Sequence, residues 1–264
     1  MCGIVGGICN NNITPVLVEG LKRLEYRGYD SAGVVVLSKD NKLNRARSVG
    51  KVVNLENSIK DKKIPLDGTI GIAHTRWATH GEPSSRNAHP HICNNTVGVV
   101  HNGIIENFLE LKSEQIKQGY NFTSDTDTEV IAHAIHQALE TCDTLLEATK
   151  KSIKTFKGAY GVGVISPSDP GRIIAARSGS PLVIGISEKG NFIASDQVAL
   201  LDITSKFIFL EEGDIADITL DSLTIYNKEG EQVEREIKTS KLKSGQVSKC
   251  GYAHYMLKEI FEQP

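Results

Sequence analysis

The sequence has little of what most specialised folds depend on. Its 264 residues include one tryptophan and 6% aromatics, and its five cysteines, at positions 2, 9, 93, 142 and 250, form no CxxC pair. An odd, scattered set speaks against a disulfide framework or a structural zinc site, and reduced thiols are expected. No stretch approaches 18 apolar residues, and no basic run precedes an apolar one near the N-terminus, so neither a membrane helix nor a signal peptide is predicted. The formal net charge is only −2, which leaves no electrostatic footprint for nucleic acid or anionic lipid. These absences predict a cytoplasmic protein with small-molecule or protein partners, no nucleic acid and no membrane.

What is present is a chain rich in short strands. Residues 2–8 read as a strand, and Thr14-Pro15 predicts a helix start with a capping hydroxyl and a proline at the first helical position. The valine-rich run Ala32 to Leu37 suits a strand covered on both faces. Further strands are expected at 69–74, 97–101, 159–165, 172–177, 181–186, 191–195, 206–210, 214–219 and 223–227. Helical patterns lie at about 104–118, 126–140 and 144–156, the second with Thr126 and Glu129 at capping-box spacing. Strands grouped around central helices predict an α+β layered fold rather than a regular βαβ repeat. After about residue 228 the composition turns polar, which predicts a folded unit over 1–238 and a linker over 239–264. Tyr252 to Gln263 reads as the start of an amphipathic helix with nothing to pack on, as in a piece of something longer.

Several groups of residues suggest chemistry. Removal of Met1 would leave Cys2 with a thiol and a free α-amine on one carbon. An amine with a reference pKa of about 7.7–8.0 can take the thiol proton itself. The plainer reading is a small buried thiol. Residues 74–83, His-Thr-Arg-Trp-Ala-Thr-His-Gly-Glu-Pro, place Arg76 and Trp77 in a turn-rich stretch after a strand; either they bind a ligand, or Arg76 makes a surface salt bridge and Trp77 plugs the core. Asn102-Gly103 offers an amide and an unobstructed N–H suited to an oxyanion, or simply a turn. Asp127 opens a helix, where it could serve the helix dipole or face a ligand ammonium while Arg76 takes the carboxylate, clamping a zwitterion. His133 and His136 stand at i, i+3 without the further ligands a metal site needs.

Taken together, Cys2-Gly3-Ile4-Val5-Gly6, the run Leu24 to Gly33, the run His74 to Pro83, His101-Asn102-Gly103-Ile104 and Thr126-Asp127-Thr128-Glu129 closely resemble the class II glutamine amidotransferases, which are N-terminal-nucleophile hydrolases. The resemblance implies a four-layer αββα sandwich that hydrolyses L-glutamine and needs no cofactor and no metal. It implies Cys2 as nucleophile with its own amine as base, and Asn102 and Gly103 as the oxyanion hole. Arg76 and Asp127 would clamp the glutamine α-carboxylate and α-amine, and Thr79, His80 and His89 would line the pocket. Trp77 would stand where ammonia leaves, and Arg27 would brace the first strand. The strings Glu25 to Gly33 and Arg76 to Pro83 are most similar to the branch that passes ammonia to fructose 6-phosphate, in which residues after 239 lead to a sugar isomerase domain of the same chain. That further half would allow a homodimer. The alternatives are another ammonia acceptor, or a non-catalytic domain that binds glutamine or a partner.

Overall fold

A computed structural model describes residues 2–242 and 260–261. Two antiparallel sheets lie face to face. The first contains, in spatial order, Ile237–Thr239 (β15), Lys206–Phe209 (β11), Val183–Ser187 (β9), Gly190–Ala194 (β10), Gly3–Cys9 (β1), Ile70–Arg76 (β4), Ser31–Leu37 (β2) and Leu43–Val49 (β3). The second runs Gln232–Val233 (β14), Leu223–Tyr226 (β13), Ile215–Ile218 (β12), Ile173–Ser178 (β8), Gly158–Ile165 (β7), Val97–Ile105 (β6) and His91–Cys93 (β5). Helices Thr14–Leu24 (α1) and Val52–Asp61 (α2) cover the first sheet, while Phe108–Lys117 (α3), Glu129–Leu139 (α4) and Leu145–Ile153 (α5) cover the second.

The four-layer αββα sandwich follows from the two-residue period of the strands. Along β1, Ile4 and Ile8 enter the core between the sheets, where they meet Val35, Ile72, Val100 and Ile193. Val5 and Cys9 point the other way, into the core beneath α1 that holds Leu17, Leu21 and Leu24. A third core, with Val99, Ile105, Ile131 and Ile135, lies between the second sheet and α4 and α5. Strands buried on both faces cannot alternate apolar with polar, which is why β1 and β2 read as continuous apolar runs. The glycines of β1 permit close approach: a Cβ on Gly7 would lie 2.4 Å from the Phe192 ring.

The expected strands all form within a few residues, but β3, α2, the short β5, and β14 and β15 in the polar stretch after residue 228 were not anticipated. β3 (Leu-Asn-Arg-Ala-Arg-Ser-Val) carries two arginines, and α2 is mostly polar, so neither shows a clear period. Both capping expectations need correction. Thr14 is the first helical residue and its hydroxyl donates to the Leu66 carbonyl; the N-cap is Ile13. Glu129 does not answer a Thr126 cap; its carboxylate accepts from the N–H groups of Thr123 and Ser124 and from both their hydroxyls.

Candidate active site

The same strand period assembles the site. Cys2 stands two residues before Ile4, on the face that looks between the sheets. On β4, Ile70 and Ile72 enter that core and His74 and Arg76 continue the series; on β6, Val100 does so and Asn102 follows. Where the apolar core ends, polar side chains from both sheets therefore meet. Asn102 Nδ2 donates to the Cys2 carbonyl at 3.2 Å, and Asn102 Oδ1 lies 2.9 Å from His74 Nε2. Asn102 and Gly103 do not form a turn: they sit within β6, opposite Gly161 and Tyr160 of β7. Gly103 has φ +130, and a Cβ there would strike the Ala159 carbonyl oxygen at 2.0 Å, so the backbone can take this course only with glycine.

The Cys2 thiol is partly buried, accepts from Trp77 N–H at 3.2 Å and lies 3.4 Å from the Trp77 carbonyl. Burial pushes the thiol up from its ordinary range, and the Trp77 N–H acts against that shift. Trp77 does not plug the core: it is 54% exposed and its ring lies against Gly28. Arg27 donates to the carbonyl and hydroxyl of Ser195, and that hydroxyl accepts from the Ile4 N–H at 3.0 Å, so Arg27 reaches β1 through Ser195.

Arg76 makes no surface salt bridge. It is 3% exposed, with Asp30 at 3.5 Å, and its guanidinium donates to the carbonyls of His80, Gly81 and Glu82. The loop after β4 is thus wrapped around a buried cation. Asn87, fully buried, ties this loop to the turn carrying Asp127: it donates to Glu82 O and accepts from Asp125 N–H. Asp127 is buried and accepts from Ile105 N–H at 2.8 Å, just beyond Gly103. Thr79 is exposed at the loop tip, and His80 packs edge-on against Phe108.

Behind these groups lies a buried histidine cluster. His89 touches both His74 and His91, and the outward-facing His101 and His91 bond to the hydroxyls of Thr128 and Thr126. Burial pushes His74 down to about 3 and His89 and His91 well below the usual imidazole range, and lowers His101. These rings are neutral at physiological pH, each with one donor and one acceptor. His133 and His136 lie elsewhere, against Cys93 and Tyr120, and no group of residues suited to a metal occurs among the described residues. Sequence reasoning missed His74, Asn87 and Ser195. His74 was within reach, since it continues the Ile70, Ile72 alternation toward Arg76; Asn87 and Ser195 gave no signal.

Known proteins share the sequence and the fold of this chain. Residues 74–202 match the family model of a glutamine amidotransferase domain. The whole chain is 54% identical to glutamine–fructose-6-phosphate aminotransferase (isomerizing) of Pseudomonas putida and of Haemophilus influenzae, and 55% to that of Photorhabdus laumondii. It covers 43% of each, so the chain spans less than half the length of the curated relatives it matches. Among solved structures, glutamine phosphoribosylpyrophosphate amidotransferase from B. subtilis superposes with a TM-score of 0.73 at 27% identity, over 86% of this chain and 49% of that one. A glutamine aminotransferase class-II domain protein from Silicibacter pomeroyi shares the fold, with a TM-score of 0.56 at 15% identity over 86% of this chain and 99% of its own. No helix among the described residues is long and apolar enough to cross a membrane. With five sequence motifs, the layered sandwich and these likenesses in agreement, residues 74–202 form a glutamine amidotransferase domain and the chain as a whole is similar to the class II members of that family.

Proposed function

We propose that this chain hydrolyses L-glutamine to L-glutamate and ammonia through a thioester on Cys2, and that in a longer protein the ammonia passes to fructose 6-phosphate, giving glucosamine 6-phosphate. The observation that carries the reading is the meeting of Cys2 and Asn102 across the two sheets, with the Asn102 amide NH2 turned toward Cys2. Once Met1 is removed, the Cys2 α-amine takes the thiol proton and the sulfur attacks the glutamine side-chain carbonyl. Asn102 Nδ2 and the Gly103 N–H hold the oxyanion, each worth about 3 kcal/mol. Collapse breaks the C–N bond, the ammonium returns its proton to the leaving nitrogen, and ammonia departs past Trp77. Water, deprotonated by the same amine, then attacks the thioester and releases glutamate.

Substrate selection rests on two opposite charges. Arg76 is a buried cation whose one carboxylate neighbour among the described residues is Asp30 at 3.5 Å, which suits it to the glutamine α-carboxylate. Asp127 takes the α-ammonium, while Thr79, His80 and His89 shape the pocket and Arg27 braces β1. In this reading residues 1–238 are the glutaminase unit, and 239–264, mostly outside the described residues, lead toward a sugar isomerase domain through which a homodimer forms. The reaction is placed in the cytoplasm.

An intact mass of the purified chain, before and after a glutamine-shaped electrophile, tests the proposal. Loss of Met1, one adduct mapped to Cys2, and release of glutamate and ammonia without any sugar phosphate are expected, and Cys2→Ala removes both adduct and turnover. A processed chain that stays unlabelled and inactive would favour a binding domain instead.

A further inference from the structure

An asparagine serves an oxyanion only with its NH2 end. A side chain free to turn over would as readily offer a carbonyl lone pair. At Asn102 the two ends are distinguishable. One lies 3.2 Å from the Cys2 carbonyl, which can only accept, so that end is Nδ2. The other, Oδ1, faces His74 Nε2 at 2.9 Å, so Nε2 carries a proton. With the proton on Nδ1 instead, two acceptors would confront each other at that distance.

Full burial keeps the His74 imidazole neutral, with its pKa pushed down to about 3, so the Nε2 proton is its only one and Nδ1 is a lone pair. His89 Nδ1 stands 3.1 Å from His74 Nδ1 and 3.2 Å from Nε2. Nearly equidistant from both nitrogens, it lies over the face of the His74 ring rather than in line with the Nδ1 lone pair, so His89 backs the imidazole by packing on it. The donors run one way: His74 to Asn102, Asn102 to Cys2.

We infer that His74, backed by His89, is a positioning residue that fixes the orientation of the Asn102 amide and so presents its NH2 to the oxyanion. The inference rests on the glutaminase reading above. It explains why two neutral imidazoles occupy the buried space beneath the site: an apolar pair would fill the volume but leave Asn102 Oδ1 without a donor and the Cys2 carbonyl as the one group orienting the amide.

The test uses the whole chain with its N-terminus processed. In His74→Leu, kcat for glutamine hydrolysis should fall about 10²-fold with KM nearly unchanged, which is the loss of one oxyanion donor. Alkylation of Cys2 by iodoacetamide, a substitution that needs no oxyanion hole, should keep its rate. His74→Gln, whose amide can donate to Oδ1, should recover about tenfold. Adding Asn102→Ala to His74→Leu should cost little beyond Asn102→Ala alone, because both act through one group. Full multiplication of the two losses, or a His74→Leu rate close to that of the unmutated chain, would overturn the inference while an impaired Asn102→Ala keeps the glutaminase reading standing. An unmutated, processed chain without turnover would sink both. Independently of any variant's folding, long-range proton–nitrogen NMR on the unmutated chain should find His74 protonated at Nε2, and protonation at Nδ1 would overturn the inference.

Discussion

Replacing Gly103 by alanine is the perturbation whose size the structure specifies most directly. The added Cβ would lie 2.0 Å from the Ala159 carbonyl oxygen, 2.7 Å from its carbon and 3.0 Å from Tyr160 Cα, all of them backbone atoms of β7. Carbon and carbonyl oxygen settle at about 3.3 Å, so β6 and β7 must part locally by roughly 1.3 Å. The φ of +130 adds strain of about 1–3 kcal/mol for any residue with a side chain. One or two loosened ladder bonds contribute about 1 kcal/mol each. Together about 2–5 kcal/mol of stability is lost, which lowers Tm by roughly 10 °C in a chain of this length. Because the displaced N–H belongs to the proposed oxyanion hole, a shift near 1 Å should also reduce kcat about 10²-fold. Gly119→Ala is the control: its φ is also positive, at +91, but nothing lies within 4 Å of the added methyl. It should lose only about 1–2 kcal/mol and keep full turnover. Calorimetry and glutamate release measure both. A Gly103→Ala variant that melts with Gly119→Ala and turns over normally would refute the steric reasoning.

Ser195→Ala should lower stability by about 1–3 kcal/mol, since the buried Ile4 N–H loses its hydroxyl acceptor, and denaturant melts will show whether it does. Arg235→Ala should destabilise by about 3 kcal/mol, because the fully buried Asp214 carboxylate loses a bidentate partner; an unchanged unfolding midpoint would contradict this. Buried histidines make stability fall in acid. The His74 pKa is about 3 folded and near 6.5 unfolded, so its contribution is intact above pH 6.5 and falls by about 1.4 kcal/mol per pH unit below that until the folded value is reached. His74→Gln should flatten the acid limb of the stability curve. Cys93, buried and with its thiol pushed up to about 12, should stay unlabelled by iodoacetamide at pH 8 while Cys2 reacts, as peptide mapping will reveal.

How far the sequence could be read depended on whether a signal was local. β1 and β2 announce themselves because a strand buried on both faces has no polar positions to interrupt it. β3 hid because Arg45 and Arg47 reach inward from a sheet edge to the carbonyls of Pro90, Arg86 and Ala88, a use of charge that no alternation rule anticipates. The Thr126–Glu129 spacing is that of a capping box, yet Glu129 is taken by Thr123 and Ser124, a contest settled by tertiary packing rather than by spacing. At the site, Cys2, Arg76, Asn102 and Asp127 could be named from the motifs, but not their partners, and Asn87 and Ser195 not at all. That the Arg76 donors meet loop carbonyls, or that Asn102 meets a histidine of the facing sheet, depends on how the two sheets stack, and contacts across 28 or 100 residues leave no trace in a local window.

The pairing of β1 also sets a timetable for biosynthesis. One edge of β1 is closed by β4, residues 70–76, and the other by β10, residues 190–194. A ribosome works from the N-terminus, so Cys2 is made before either partner strand, and the strand that follows it is bonded on both sides only when residue 194 has emerged. A growing chain therefore exposes its thiol long before it possesses the machinery around it. The proposed nucleophile is synthesised before both of the strands that enclose its own.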